Sequence, residues 1–186
     1  MKSAEVLDFW FGATPGRERP EWFRKDPAFD EEIRRRFGDL HAAAARRELE
    51  AWRASPEPML ALVVVLDQFS RNLYRNDARA FAQDAHALEC ANQAIARGDP
   101  LGLLPVHRQF LYLPLEHSED MADQERCVEL MRGLDAFEAT RGISEWAVKH
   151  RDIVARFGRF PHRNAALGRN STPEEVEFLK TPGSGF

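Results

Sequence analysis

The sequence holds only two cysteines, Cys90 and Cys127, and no C-x-x-C spacing. Both read as small core residues in a reducing compartment. Long apolar runs are also missing. The stretch Leu60 to Leu66 has seven residues, eight with Met59, against the roughly 20 that span a bilayer. The opening MKSAEVLDFWFGATPG has an apolar run too short for a secretion signal, interrupted by Asp8. A cytoplasmic location and no membrane partner are expected. Alternating strand patterns, a G-x-S-x-G nucleophile motif and a glycine-rich phosphate loop are all absent. Helical metal sites want His and carboxylate three or four residues apart, but His150 has Ile153 and Val154 there. His117 and Asp120 have the right spacing only if one helix continues through Ser118. No metal and no cofactor are expected.

Lysine is scarce as well, with 4 residues against 22 arginines. Arginine suits bidentate contacts to carboxylate and phosphate, although a codon bias gives the same ratio. The rest of the composition, 44% hydrophobic and 30% charged, excludes wholesale disorder. The net charge of -4 argues against nucleic acid as the main partner, because phosphate neutralisation needs a basic face. The 186 residues suit one domain. We place a single all-helical domain at residues 1–180 and a flexible tail at 181–186.

Helix punctuation is frequent. Asp26-Pro27 predicts an N-cap and N1 proline, with Phe29, Ile33, Phe37 and Leu40 following at helical spacing. Ser55-Pro56 repeats the device, and Asp77 is expected to cap a helix ending at Gly98. Pro105 opens another, a further one runs from about Glu119 to Ala139, and Ser144 starts one ending at Gly158. Thr172-Pro-Glu-Glu175 spells a capping box. Short connections between such helices predict antiparallel pairs.

Leu60 to Leu66 is apolar on every side, so neighbouring helices must surround it. Asp67, Arg71 and Arg75 then form an i, i+4, i+8 row in which Asp67 and Arg71 can pair. Charges that continue a buried helix must be paired or bound to something.

The stretch QFLYLPLEHSED runs an oily segment into Glu116, His117, Glu119 and Asp120. Pro114 should bend this helix around Phe110. Ser118 suits the N-cap of the next helix, with Glu119 and Asp120 in its first turn, where the dipole favours carboxylates. Glu116 and His117 have no such structural explanation.

A second polar concentration is HRDIVARFGRFPHRNAALGR, His150 to Arg169. His150 joins the apolar face of Ile153, Val154 and Phe157, where a lone histidine is more often a hydrogen-bonded core residue than a ligand. From Arg151 to Arg169 five arginines face one acid, Asp152, so this segment carries +4 and the remainder about -8. After Gly158 the chain leaves the helix, with Phe160-Pro161 as an apolar anchor beside Arg159, His162 and Arg163. These cations either answer acidic segments inside the fold, Glu116 and Asp120 among them, or make an anion pocket.

Four stretches, VLDFWFG, LDQFSRNLYR, FLYLPLEHSED and HRDIVARFGRFPHRNAALGR followed by STPEE, together resemble the largely bacterial family catalogued as domain of unknown function 924. The likeness runs from about Val6 to Leu179. It implies an all-α fold resembling tetratricopeptide-repeat superhelices, and no activity or catalytic residues. One departure is Ser70, where the family typically has proline; serine restores a backbone N–H, so any local kink should be milder.

The expected architecture is therefore all-α, an array of antiparallel helix pairs in a tetratricopeptide-repeat-like superhelix. Asp67, Arg71, Arg75, Glu116, His117, His150, Arg151, Arg159, His162 and Arg163 are expected to converge on one side of it. The leading function is a binding module whose polar groove takes a small anionic molecule or a peptide's acidic group. The alternative is a hydrolase with Glu116 or His117 as general base and arginines stabilising negative charge. A third reading makes the same groups a satisfied internal network that fixes helix register.

Overall fold

A computed structural model describes residues 2–12, 16–22 and 24–185, and among these no strand occurs. Of the expected tail, Phe186 lies outside the described residues. The principal helices are α1 (Ser3–Phe11), α2 (Pro27–Ala45), α3 (Pro56–Val64), α4 (Ser70–Leu73), α5 (Asp84–Arg97), α6 (Pro105–Glu116), α7 (Met121–Leu134), α8 (Ser144–Phe157) and α9 (Pro173–Phe178). They pack in pairs, α6 on α7 and α7 on α8, with α3 at the centre against α1, α5 and α6. The array of helix pairs expected from the sequence is thus the architecture found.

Local chemistry explains several helix starts. The Asp26 side chain accepts from Ala28 N at 2.9 Å and Phe29 N at 3.2 Å, with Pro27 at the first position of α2. Thr172 and Glu175 close a reciprocal capping box on α9. Gly158 ends α8 at φ 68°, a backbone that glycine adopts without strain. Three expected starts are corrected. Ser55 stands at the cap of α3 in extended conformation, but its side chain makes no capping hydrogen bond. Asp77 caps a short 3-10 turn, Ala78–Phe81, and α5 begins only at Asp84. Asp120, not Ser118, caps α7 by accepting from Ala122 N at 2.7 Å.

The centre of α3 is buried all round, Met59 to Leu66 being inaccessible to solvent. Around it Trp10, Phe37, Phe69 and Phe110 fill the core, with Trp10 edge-on to Phe69 at 5.7 Å and to Phe110 at 5.6 Å. Between α3 and α4 lies one π-helical turn, Val65–Phe69, which carries Asp67. Such turns re-aim side chains within a continuous helix and recur at functional sites. Ser70, just after it, is buried; its Oγ donates to Leu66 O at 2.6 Å and lies 2.8 Å from His41 Nε2. A smaller apolar cluster, Ile153, Val154 and Phe160, packs with Phe157 and Phe178 and fastens the C-terminal segment to α8. No helix among the described residues is long and apolar enough to cross a membrane.

Candidate functional site

Asp67 leaves the π turn into a nearly dry interior, 1% exposed. Burial raises its pKa, but the Arg71 guanidinium and His117 outweigh that and hold the carboxyl well below the usual carboxylate range. It is therefore an anion that only accepts hydrogen bonds. Arg71 Nη1 approaches Oδ1 at 3.1 Å, His117 Nδ1 lies 2.7 Å from the same oxygen, and Gln68 Nε2 donates to Oδ2 at 2.6 Å. The expected Asp67–Arg71 pair is present, with His117, expected in the same cluster, as its third member.

His117 ends α6. Burial first, then the Arg71 charge, lowers its pKa, so the imidazole is neutral near pH 7. Its side chain stays 13% exposed, at the edge of the network. Glu116, one residue earlier, points inward at 4% exposure. Burial and then the Asp67 charge push its pKa up to about 8. It is a neutral carboxylic acid at neutral pH. Its Oε1 lies 3.4 Å from His150 Nδ1, which itself donates to Trp146 O at 2.8 Å. Burial lowers the pKa of His150 to about 3, so a buried neutral pair faces each other here.

Arg71 also reaches forward to Asp84 at the start of α5, with Nη1–Oδ1 at 3.0 Å and Nη2–Oδ2 at 3.2 Å. The same carboxylate serves Arg163, but only at 3.4 Å. Arg163 sits on the short turn Pro161–Arg163, 6% exposed, its guanidinium over Phe160 at 4.5 Å and over Phe81 at 4.8 Å. Its Nε is buried with no hydrogen-bond partner among the described residues. Burial and the neighbouring Arg71 charge bring its pKa down to about 10, still cationic at neutral pH. On the same turn, burial and then Arg163 lower the His162 pKa to about 4.

Of the ten residues singled out in the sequence, the fold brings seven into one connected cluster: Asp67, Arg71, Glu116, His117, His150, His162 and Arg163. Three go elsewhere. Arg75 turns to Asp30, its Nη2 donating to Oδ1 at 2.8 Å, and lines a cleft of about 350 Å³ with Arg34 and Arg79. Arg151 pairs with Asp152 at 2.7 Å on the surface. Arg159 binds Glu175 through Nε at 2.6 Å and Nη2 at 2.8 Å.

Several members were not foreseen. Asp84 answers both arginines. Glu119, read as a first-turn helix acid, instead accepts from Phe160 N at 2.8 Å and from Arg169 Nη1 at 2.7 Å. Ser118 Oγ accepts from Asp120 N and donates to Asp123. Gln124 Nε2 donates to Glu116 O at 2.7 Å and Ser118 O at 2.6 Å, stitching the end of α6 to α7. The acids that meet Arg159, Arg163 and Arg169 are thus Glu175, Asp84 and Glu119 in turn, not Glu116, which is uncharged, nor Asp120, which caps a helix. Glu119 lies in the acidic EHSED stretch that the arginines were expected to answer, whereas Asp84 and Glu175 carried no such signal as their partners. Among the described residues no group of three or more His, Cys, Asp or Glu could hold a metal ion.

Helices throughout the described chain around a polar knot in the interior define a class by architecture, not by chemistry. Residues 6–183 match the model of the family described as bacterial protein of unknown function (DUF924), and the chain belongs to that family. It is similar to the solved structure of a protein of unknown function, ATU0120, from Agrobacterium tumefaciens: 45% identical over 96% of both chains, with a TM-score of 0.85. No curated protein matches it.

Proposed function

We propose that the protein is a binding module for a small oxyanion, a phosphate or a carboxylate, received by the Arg71–Arg163 pair. One observation carries this reading: two guanidiniums share the single carboxylate of Asp84, and the more buried, Arg163, keeps only a long 3.4 Å contact and an unpartnered Nε. A cation held in apolar surroundings with donors to spare is stabilised by a bidentate acceptor. Arg71 and Asp84, each 21% exposed, together with the edge of His117, offer the approach from solvent.

A specific observation favours a second reading, an acid–base enzyme. Asp67 orients His117 through Nδ1, as carboxylates orient catalytic imidazoles. Of the two general bases considered from the sequence, His117 is then the one available at neutral pH, because Glu116 is already protonated.

Thermal shift with phosphate, citrate and short acidic peptides, against chloride at fixed ionic strength, tests the binding reading. Concentration-dependent stabilisation of the wild type, blunted in Arg163→Ala and Arg163→Lys, is expected. Equal responses of all three proteins would reduce these arginines to structural members of an internal network.

A further inference from the structure

We infer that a cleft between α1 and the starts of α3 and α6 binds a primary ammonium ion on a short apolar body, with Asp8 and Glu57 receiving the charge. The cleft measures about 230 Å³ and shares no lining residue with the Arg71–Arg163 cluster, so the inference stands independently of the oxyanion reading.

Charge balance points to a cation. Asp8 and Glu57 come from different helices and line the same cleft, both exposed, and neither has an ion-pair partner among the described residues. The acids of the cleft beside Arg75 are matched by contrast, Asp30, Glu31 and Asp77 each holding an arginine. Glu57 has a local explanation, the first turn of α3, where the helix dipole favours a carboxylate. Asp8 has none. It stands in the last turn of α1, which carries no basic residue and where the dipole disfavours negative charge. Arg19 answers the carbonyls of Phe9 and Trp10 at that end, yet its ion pair is with Glu21 at 3.7 Å and not with Asp8.

The walls define the rest of the ligand. Leu7, Phe11 and Pro58 line the cleft with apolar surface, and the ring of His107 lies against Phe11, centroids 4.2 Å apart. Burial lowers the His107 pKa although the Glu57 charge raises it, so the imidazole is neutral near pH 7. Its Nε2 is buried with no hydrogen-bond partner among the described residues. A primary ammonium has three N–H donors and no acceptor, which matches two carboxylates and one imidazole lone pair in number. Against donors alone, the ring carries its proton on Nδ1. A volume below the roughly 300–1,000 Å³ of drug-sized sites limits the body to a few carbons.

The test is an NMR titration of the intact chain at pH 7 with butylammonium chloride, against sodium chloride at the same ionic strength. Butanol supplies the same body without charge, and tetramethylammonium the charge without N–H donors. Butylammonium should shift the backbone amides of Leu7, Phe11 and His107 saturably, in the millimolar range that exposed ion pairs allow, and more tightly than either comparison compound. Asp8→Asn and Glu57→Gln, both at exposed positions, should each weaken binding about two- to fivefold, the size of one exposed ion pair, and the double variant more than either. Butanol binding as tightly as butylammonium would reduce the cleft to an apolar pocket and overturn the inference. Equal binding of tetramethylammonium would overturn the role of the N–H donors. Unchanged affinity in the double variant, or shifts that sodium chloride reproduces, would also overturn it.

Discussion

Asp67 and His117, 50 residues apart in sequence, meet at 2.7 Å where the π turn after α3 faces the end of α6. The carboxylate is shared with Arg71, so its charge is compensated from two directions. Arg71→Ala should therefore cost about 3 kcal/mol, the lower end for breaking a buried pair, because His117 and Gln68 remain. Double replacement with Asp67→Ala should cost clearly less than the two single changes added together. Urea midpoints of the three variants measure this; additive losses would mean the two residues do not interact.

Glu116 should make the protein less stable as the solution becomes alkaline. Its folded pKa of about 8 lies above the ordinary 4.5, so its contribution is complete below pH 4.5 and is lost as pH rises through 8. Glu116→Gln keeps the shape without the proton. The variant should match wild type near pH 4.5 and exceed it by a few kcal/mol near pH 8. A constant difference across that range, read from urea midpoints, would show Glu116 ionising freely in the fold.

His150 and His162 act in the opposite sense. Burial takes their folded pKa to about 3 and about 4, below the ordinary 6.5, so both remain neutral while the unfolded chain takes up protons. Stability should fall as pH drops from 6.5 towards 4, with each histidine contributing up to about 1.4 kcal/mol per pH unit. His150→Phe should flatten that slope. Chemical denaturation at half-unit pH steps gives both curves, and an unchanged slope in the variant would place His150 in contact with solvent.

Glu119 fastens the turn after α8 to the segment before α7 by accepting from Phe160 N and Arg169. Glu119→Ala should destabilise by about 1–3 kcal/mol, since a partly buried amide and a guanidinium lose their acceptor. Hydrogen exchange should accelerate at the Phe160 amide before the helices of the core respond. Exchange that rises equally everywhere would mean that the loss is global and the clasp is not local.

Helix identity and the central place of α3 were legible in the sequence because their causes are local. Pro27 after Asp26, the Thr172–Glu175 box and seven consecutive apolar residues act within one or two turns of the residues that carry them. The Asp67–Arg71 pair was legible for the same reason, both residues lying on one helical row. Ser118 and Asp77 misled because Ser, Asp and Asn serve caps, turns and side-chain clasps alike. Which role each plays is set by the backbone amides the fold brings within its reach, Arg79 N for Asp77 and Ala122 N for Asp120.

The candidate site itself was half visible. Runs of charge at His117 and around Arg163 marked two of its walls, yet no spacing rule joins Asp84 to Arg163 or Glu119 to Arg169, which are 79 and 50 residues apart. Composition and local periodicity determined that this chain makes helices and which of their faces are apolar. The packing of α2 and α5 against the π turn, and of α8 against α6, decided which charges lose water, and so which meet a partner. Desolvation depends on every element that covers a group, so Glu116 held neutral and Arg163 left with a spare donor are properties of the assembled fold alone.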